Sequence, residues 1–219
     1  MRYPSIDKDN YPLGFLFING SEQPSIVKGG SGKTTYKTHA RQMALFQKEA
    51  LVQEGERGSR WRLSSDEGKH LSGTDLAPFP LGFFNAALHG DLTGRIRHFA
   101  NVDNLDIEKI DMEVSNFYYM TGSFVKGDAA GHAEPPLIEI SFSAKANPVE
   151  INTIVAKALL ASPFIYGYKN ALHSRFSFFI NGTQKKLSNL PNFPVDAAED
   201  PFMIYKTSPA PKEGFKCME

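Results

Sequence analysis

The sequence predicts an α+β fold. Three observations carry that expectation: an amphipathic helical stretch that starts at Pro80, a second that opens on a capping signature at Asn147, and flanking segments whose apolar residues alternate with the two-residue period of half-buried strands. The order is strands, helix, strands, helix, strand, which does not suit the regular alternation of a parallel sheet. With 219 residues the chain is long enough for one domain with a full core, and no stretch has the composition of a linker. The expected organisation is an extension over 1–27, a folded region over 28–186 and an irregular, proline-rich extension over 187–219.

Within the first extension only Phe15 to Ile18 is apolar enough to need burial. From Thr34 to Leu63 the residues alternate loosely, and Glu-Gly-Glu-Arg-Gly supplies a turn between two strands. Between these, MALFQKEALV is rich in helix formers yet equally readable as a strand. Proline suits the first helical position, and Leu81, Phe84, Leu88, Leu92, Ile96 and Phe99 follow it at helical spacing. Ile107 to Tyr119 and Leu137 to Ala146 read as strands, the second from the alternation of Ile138, Ile140, Phe142 and Ala144, with KGDAAGHAEPP as a loop between them. Asn147 followed by Glu150 is a capping box, and Ile151, Ile154, Val155, Ala158 and Leu159 form the stripe of the second helix. Pro163 breaks or kinks it, and another apolar turn with Tyr166 and Tyr168 follows. Arg175 to Ile180 reads as a strand that enters a tight Asn181-Gly182 turn.

Charge is balanced, with 24 basic and 24 acidic residues, so no global field favours nucleic acid or an anionic membrane, and neither is expected as a partner. Cys217 is the only cysteine, which leaves no disulfide framework or cysteine-rich zinc site. The absence of a long apolar run near Met1 and of a membrane-length segment fits a cytoplasmic protein. Asn19 and Asn181 begin N-x-S/T triplets, better read as Asn-Gly turns than as glycosylation sites. Lys28 to Thr35, KGGSGKTT, matches the phosphate loop of ParA/MinD-type ATPases letter for letter. Such a loop needs a buried strand before it and a later strand that ends in a magnesium-binding Asp, and both are missing, so a glycine-rich entry into the first strand is expected instead.

The stretch Trp61 to Leu92, WRLSSDEGKHLSGTDLAPFPLGFFNAALHGDL, resembles the segment that leads into the first long helix of the OsmC/Ohr family of thiol peroxidases. The resemblance covers about residues 28 to 182. It implies an OsmC-like fold, antiparallel sheets wrapped around two long central helices in an intertwined homodimer, and a role in hydroperoxide detoxification and stress response. Where the family helix reads Ala-Ala-Leu-x-x-Cys, this chain has Asp91. Where the family's second cysteine precedes a proline, it has Ser162 before Pro163. Gly82 stands where the family's Glu precedes the cysteine helix, and Ser31 where its Arg lies.

Thiol peroxidase chemistry needs a thiolate to attack the peroxide and a second thiol to resolve the sulfenic acid. Neither is present at the matching positions. The expected function is therefore binding of a small, partly apolar or aromatic molecule at the family's interface pocket, without cofactor or metal. The candidate residues are Asp91, Arg95, His98, Phe84, Ser162 and Tyr166. Asp91 and Arg95 are an i, i+4 pair worth about 0.2 to 0.5 kcal/mol on an exposed face, and far more if desolvated. Two alternatives stay open: a hydrolase or lyase that uses Asp91, His89 or His98 and Ser162, and a structural or partner-binding protein. His98, His132 and His173 are scattered without ligand spacing.

Overall fold

Residues 5–9, 11–20, 35–55, 58–186, 188 and 194 are described by a computed structural model. They fall into two compact units, one formed by residues up to Pro80 with those from Arg175 onward, the other by Leu81–Ser174. The KGGSGKTT loop, apart from Thr35, lies outside the described residues, as do Ser31 and Cys217.

The first unit is built on a four-stranded antiparallel sheet in the order β1-β4-β3-β2, with β1 Gly14–Ile18, β2 Tyr36–Gln42, β3 Lys48–Glu54 and β4 Arg60–Ser65. The Phe15 to Ile18 run, read as part of an extension, is thus an edge strand paired to β4. The ambiguous MALFQKEALV stretch is a turn and a strand. Leu45 takes a left-handed conformation, the Met43 amide reaches the Gln47 carbonyl at 2.8 Å, and β3 then pairs on both sides. Two flanking ladders outweigh helix propensity, which is a weak local preference.

The alternation of β4 sends Arg62 to a fully buried position, where it meets Glu49 and Asp9 and donates to the Pro12 carbonyl at 3.0 Å. Glu49 also takes Arg41. Beyond β4, Asp66 is buried in the loop. Its carboxylate accepts the amides of Glu67 at 2.8 Å, Thr74 at 3.1 Å and Leu76 at 3.2 Å, and the Thr74 hydroxyl. Ser65 to Gly68 and Ser72 to Asp75 thus act as one clamp around this carboxylate. Gly73 is required within it, because a Cβ there would lie 1.8 Å from the Glu67 carbonyl oxygen. After Arg175, β9 Phe178–Ile180 and β10 Thr183–Lys185 form a hairpin whose turn residues, Asn181 and Gly182, both have positive φ, as expected for Asn-Gly.

In the second unit α1 spans Pro80–Val102, entering from the first unit, and buries Leu88, Leu92, Ile96 and Ala100 at successive four-residue steps. Leu81 and Phe84, placed on the same stripe by sequence, remain exposed. The helix ends with Asn104 in the left-handed region and the Leu105 amide bonded back to the Ala100 carbonyl at 2.8 Å. Strands β5 Ile107–Ser115 and β8 Leu137–Ala144 pair antiparallel, with Met112 opposite Ile140 and Val114 opposite Ile138. The alternation of β8 turns Ile138, Ile140, Phe142 and Ala144 to the core.

The expected strand to Tyr119 breaks after Ser115, and the expected loop KGDAAGHAEPP contains a strand. β6 Tyr118–Thr121 and β7 Ala130–Ala133 form a hairpin. Small residues and one His give β7 no local signal, so its pairing decides it. Helix α2 Pro148–Ala161 starts with the expected capping box, Asn147 Oδ1 accepting the Val149 and Glu150 amides at 3.0 Å while Glu150 Oε2 accepts the Asn147 amide at 2.9 Å. Pro163 then opens α3 Pro163–Lys169, which leaves α2 at a bend of 72°. No single helix among the described residues is long and apolar enough to cross a membrane.

Candidate functional site

The two positions at which the resemblance placed family cysteines meet in space. Ser162 Oγ donates to Asp91 Oδ2 at 2.6 Å across 71 residues of sequence. The bend between α2 and α3 places Ser162 there, at the end of one helix and the cap of the next, where its Oγ also accepts the Ile165 amide at 3.1 Å. Ser162 is 1% exposed. Asp91 is held by Arg95 one turn along α1, with Nε and a terminal nitrogen each 2.8 Å from Oδ1. The carboxylate side chain is 12% exposed and the Arg95 side chain 35%, so this pair lies between a solvated helix pair and a desolvated one.

Seven residues before Asp91, two helical turns or ~10 Å along the same face, Phe84 lines an open groove of about 460 Å³ with Pro163, Phe164, Gly167 and Tyr168. Its rings meet edge to face: Phe84 to Phe164 at 5.9 Å and 64°, Phe84 to Tyr168 at 6.0 Å and 76°. The walls are almost wholly apolar, as small-molecule sites tend to be.

Among the sequence candidates, Asp91, Arg95 and Ser162 come together as one cluster, and Phe84 joins the groove. His98 is exposed and makes an edge contact with the Phe99 ring rather than a bond to Asp91, whose two oxygens are already occupied by Arg95 and Ser162. His89 is exposed as well. Tyr166 is 60% exposed and does not line the groove. Phe164, Gly167 and Tyr168 share one face of α3 at i, i+3 and i+4, whereas Tyr166, two residues on from Phe164, points elsewhere. Tyr168, on the same turn, therefore takes the place expected of Tyr166.

Sequence reasoning also missed Asn85 and Asn116. Asn85 Nδ2 donates to the Val114 carbonyl at 3.4 Å, Asn116 Nδ2 donates to Asn85 Oδ1, and the Tyr168 hydroxyl donates to Asn116 Oδ1 at 3.3 Å. Single asparagines outside a motif carry no signal, and the sequence reads through Asn116 as continuous strand. Burial first, and the neighbouring Tyr118 second, push the Tyr168 phenol above its ordinary value of 10.0, so it keeps its proton at neutral pH.

Chemically, the Asp91-Ser162 pair has no sulfur to oxidise. Ser162 Oγ gives its proton to a carboxylate and accepts an amide, so its hydroxyl is spent on holding α3 rather than aimed at a substrate. No group of three or more His, Cys, Asp or Glu among the described residues is placed to hold a metal ion.

No family model matches the chain, and no curated protein matches it. Among solved structures it is similar to an OsmC-like hydroperoxide resistance protein from Jannaschia sp. CCS1, at 18% identity over 68% of this chain and 94% of that one, TM-score 0.46. It is also similar to the organic hydroperoxide resistance protein OsmC from Legionella pneumophila, at 20% identity over 64% and 91%, TM-score 0.44. An OsmC-like protein from Mycoplasma pneumoniae matches at 12% identity over 64% and 89%, TM-score 0.47. The chain resembles the OsmC/Ohr family in the residues of the Trp61 to Leu92 stretch.

Proposed function

We propose that this chain is an OsmC-like homodimer without thiol peroxidase activity, and that it binds a small, partly apolar molecule in the groove beside Phe84 and Tyr168. The observation that carries this reading is the 2.6 Å bond between Ser162 and Asp91. Relatives are named for hydroperoxide resistance. Here a hydroxyl and a carboxylate stand at both positions where the resemblance expects thiols, and a hydrogen bond joins them. The aromatic groove supports binding, since its walls offer apolar surface to a ligand. The hydrolase or lyase alternative fares less well, because Ser162 is buried with its hydroxyl bonded to Asp91 and the Ile165 amide, while His89 and His98 are exposed. Dimerisation is supported by apolar side chains left in the open on the second unit, among them Val149, Leu160, Phe124 and Val125.

With cumene hydroperoxide and a dithiol reductant, the protein should show no turnover above background. Robust turnover lost in Cys217→Ser would overturn the reading, since that tail thiol would then be serving the site. The fluorescence of anilinonaphthalene sulfonate should rise on mixing with wild type and fall back in Phe84→Ala. No difference between the two proteins would remove the groove.

A further inference from the structure

Of the residues that line the groove, Tyr168 alone has a polar side-chain group, so a side-chain hydrogen bond to a ligand there must use its hydroxyl. That hydroxyl ends a chain of bonds whose direction follows from its far end. The Val114 carbonyl can only accept, so Asn85 presents Nδ2 to it and turns Oδ1 toward Asn116. Asn116 must then present Nδ2 to Asn85, which leaves its Oδ1 facing Tyr168. The phenol is therefore obliged to donate. It has one proton, and with that proton committed its oxygen can only accept.

Building on the groove-binding reading, we propose that the groove selects neutral ring compounds that carry a hydroxyl, phenols being the simplest class, over equally apolar compounds that offer only acceptors. The ligand's hydroxyl would donate to Tyr168 Oη while its ring packs against Phe84 and Phe164. An ether or carbonyl in the same pose would set lone pair against lone pair and forgo that hydrogen bond. An ammonium would lose its hydration with no acidic side chain among the lining residues.

The test is a calorimetric titration with para-cresol and with its methyl ether, which differ at the hydroxyl proton. Wild type should bind para-cresol about three- to tenfold tighter, the net effect of one neutral hydrogen bond. In Tyr168→Phe the preference should fall to one or below. In Asn116→Leu, where the phenol's proton is released, the ether should gain on para-cresol. Equal binding of the two probes by wild type, or a preference that survives in Tyr168→Phe, would overturn the donor rule and leave groove binding standing. If neither probe binds at millimolar concentration, groove binding itself is overturned and this inference with it. Should a variant fail to fold, the wild-type ratio alone decides.

Discussion

Replacing Ser162 by alanine tests the junction on which the candidate site depends. The substitution removes two bonds at once. One is the hydroxyl donated to the Asp91 carboxylate at 2.6 Å, and bonds to charged groups contribute about 1.5 to 3 kcal/mol. The other is the cap of α3, where Oγ accepts the Ile165 amide at 3.1 Å and loss costs about 1 kcal/mol. Asp91 would keep Arg95, and that side chain is 35% exposed, so water and the guanidinium compensate part of the loss. The expected destabilisation is about 2 to 3 kcal/mol, read as a lower urea midpoint at unchanged slope. A double-mutant cycle with Asp91→Ala separates the terms, since the cap contribution cancels. The coupling should be about 1 kcal/mol or more. A single-variant cost under about 1 kcal/mol, or a coupling of zero, would mean that Asp91 and Ser162 are adjacent without being energetically joined.

Acid should probe the loop clamp. Burial acts to raise the Asp66 pKa, but the Thr74 hydroxyl and the amides of Leu76, Glu67 and Thr74 outweigh it, so the net shift is downward from 3.8. A carboxyl with a depressed folded pKa contributes stability that is complete above its unfolded value and lost as pH falls through the folded one. Stability should therefore drop below about pH 4, and in Asp66→Asn, less stable at neutral pH, that acid slope should flatten. An unchanged slope would show that Asp66 is not the titrating group. Sedimentation at micromolar concentration should give about twice the chain mass, and a stable folded monomer would contradict the proposed dimer. Millimolar ATP with magnesium should leave the melting temperature unchanged. A micromolar nucleotide site would add roughly 4 kcal/mol, and a shift of that size lost in Lys33→Ala would restore the phosphate-loop reading of KGGSGKTT.

Local periodicity determined a good part of this protein. The α1 stripe from Leu88, the capping box at Asn147, the break at Pro163, the alternation of β8 and the Asn181-Gly182 turn each depend on residues a few positions apart, so the sequence contains the whole cause. Asp91 and Ser162 were legible as positions through a resemblance, but their bond was not, because it closes over 71 residues. The choice of Tyr168 over Tyr166 needed the bend that starts α3, which sets the face turned to Phe84. Trp61 and Leu63 on either side give no sign in the sequence that Arg62 faces inward, and only the fold supplied Glu49 and Asp9 to make its burial tolerable. The β6-β7 hairpin and the Asn85-Asn116-Tyr168 chain were decided wholly by tertiary structure. In both, weakly patterned residues gain meaning from partners brought near by packing, and pairing of that kind leaves no period in the sequence.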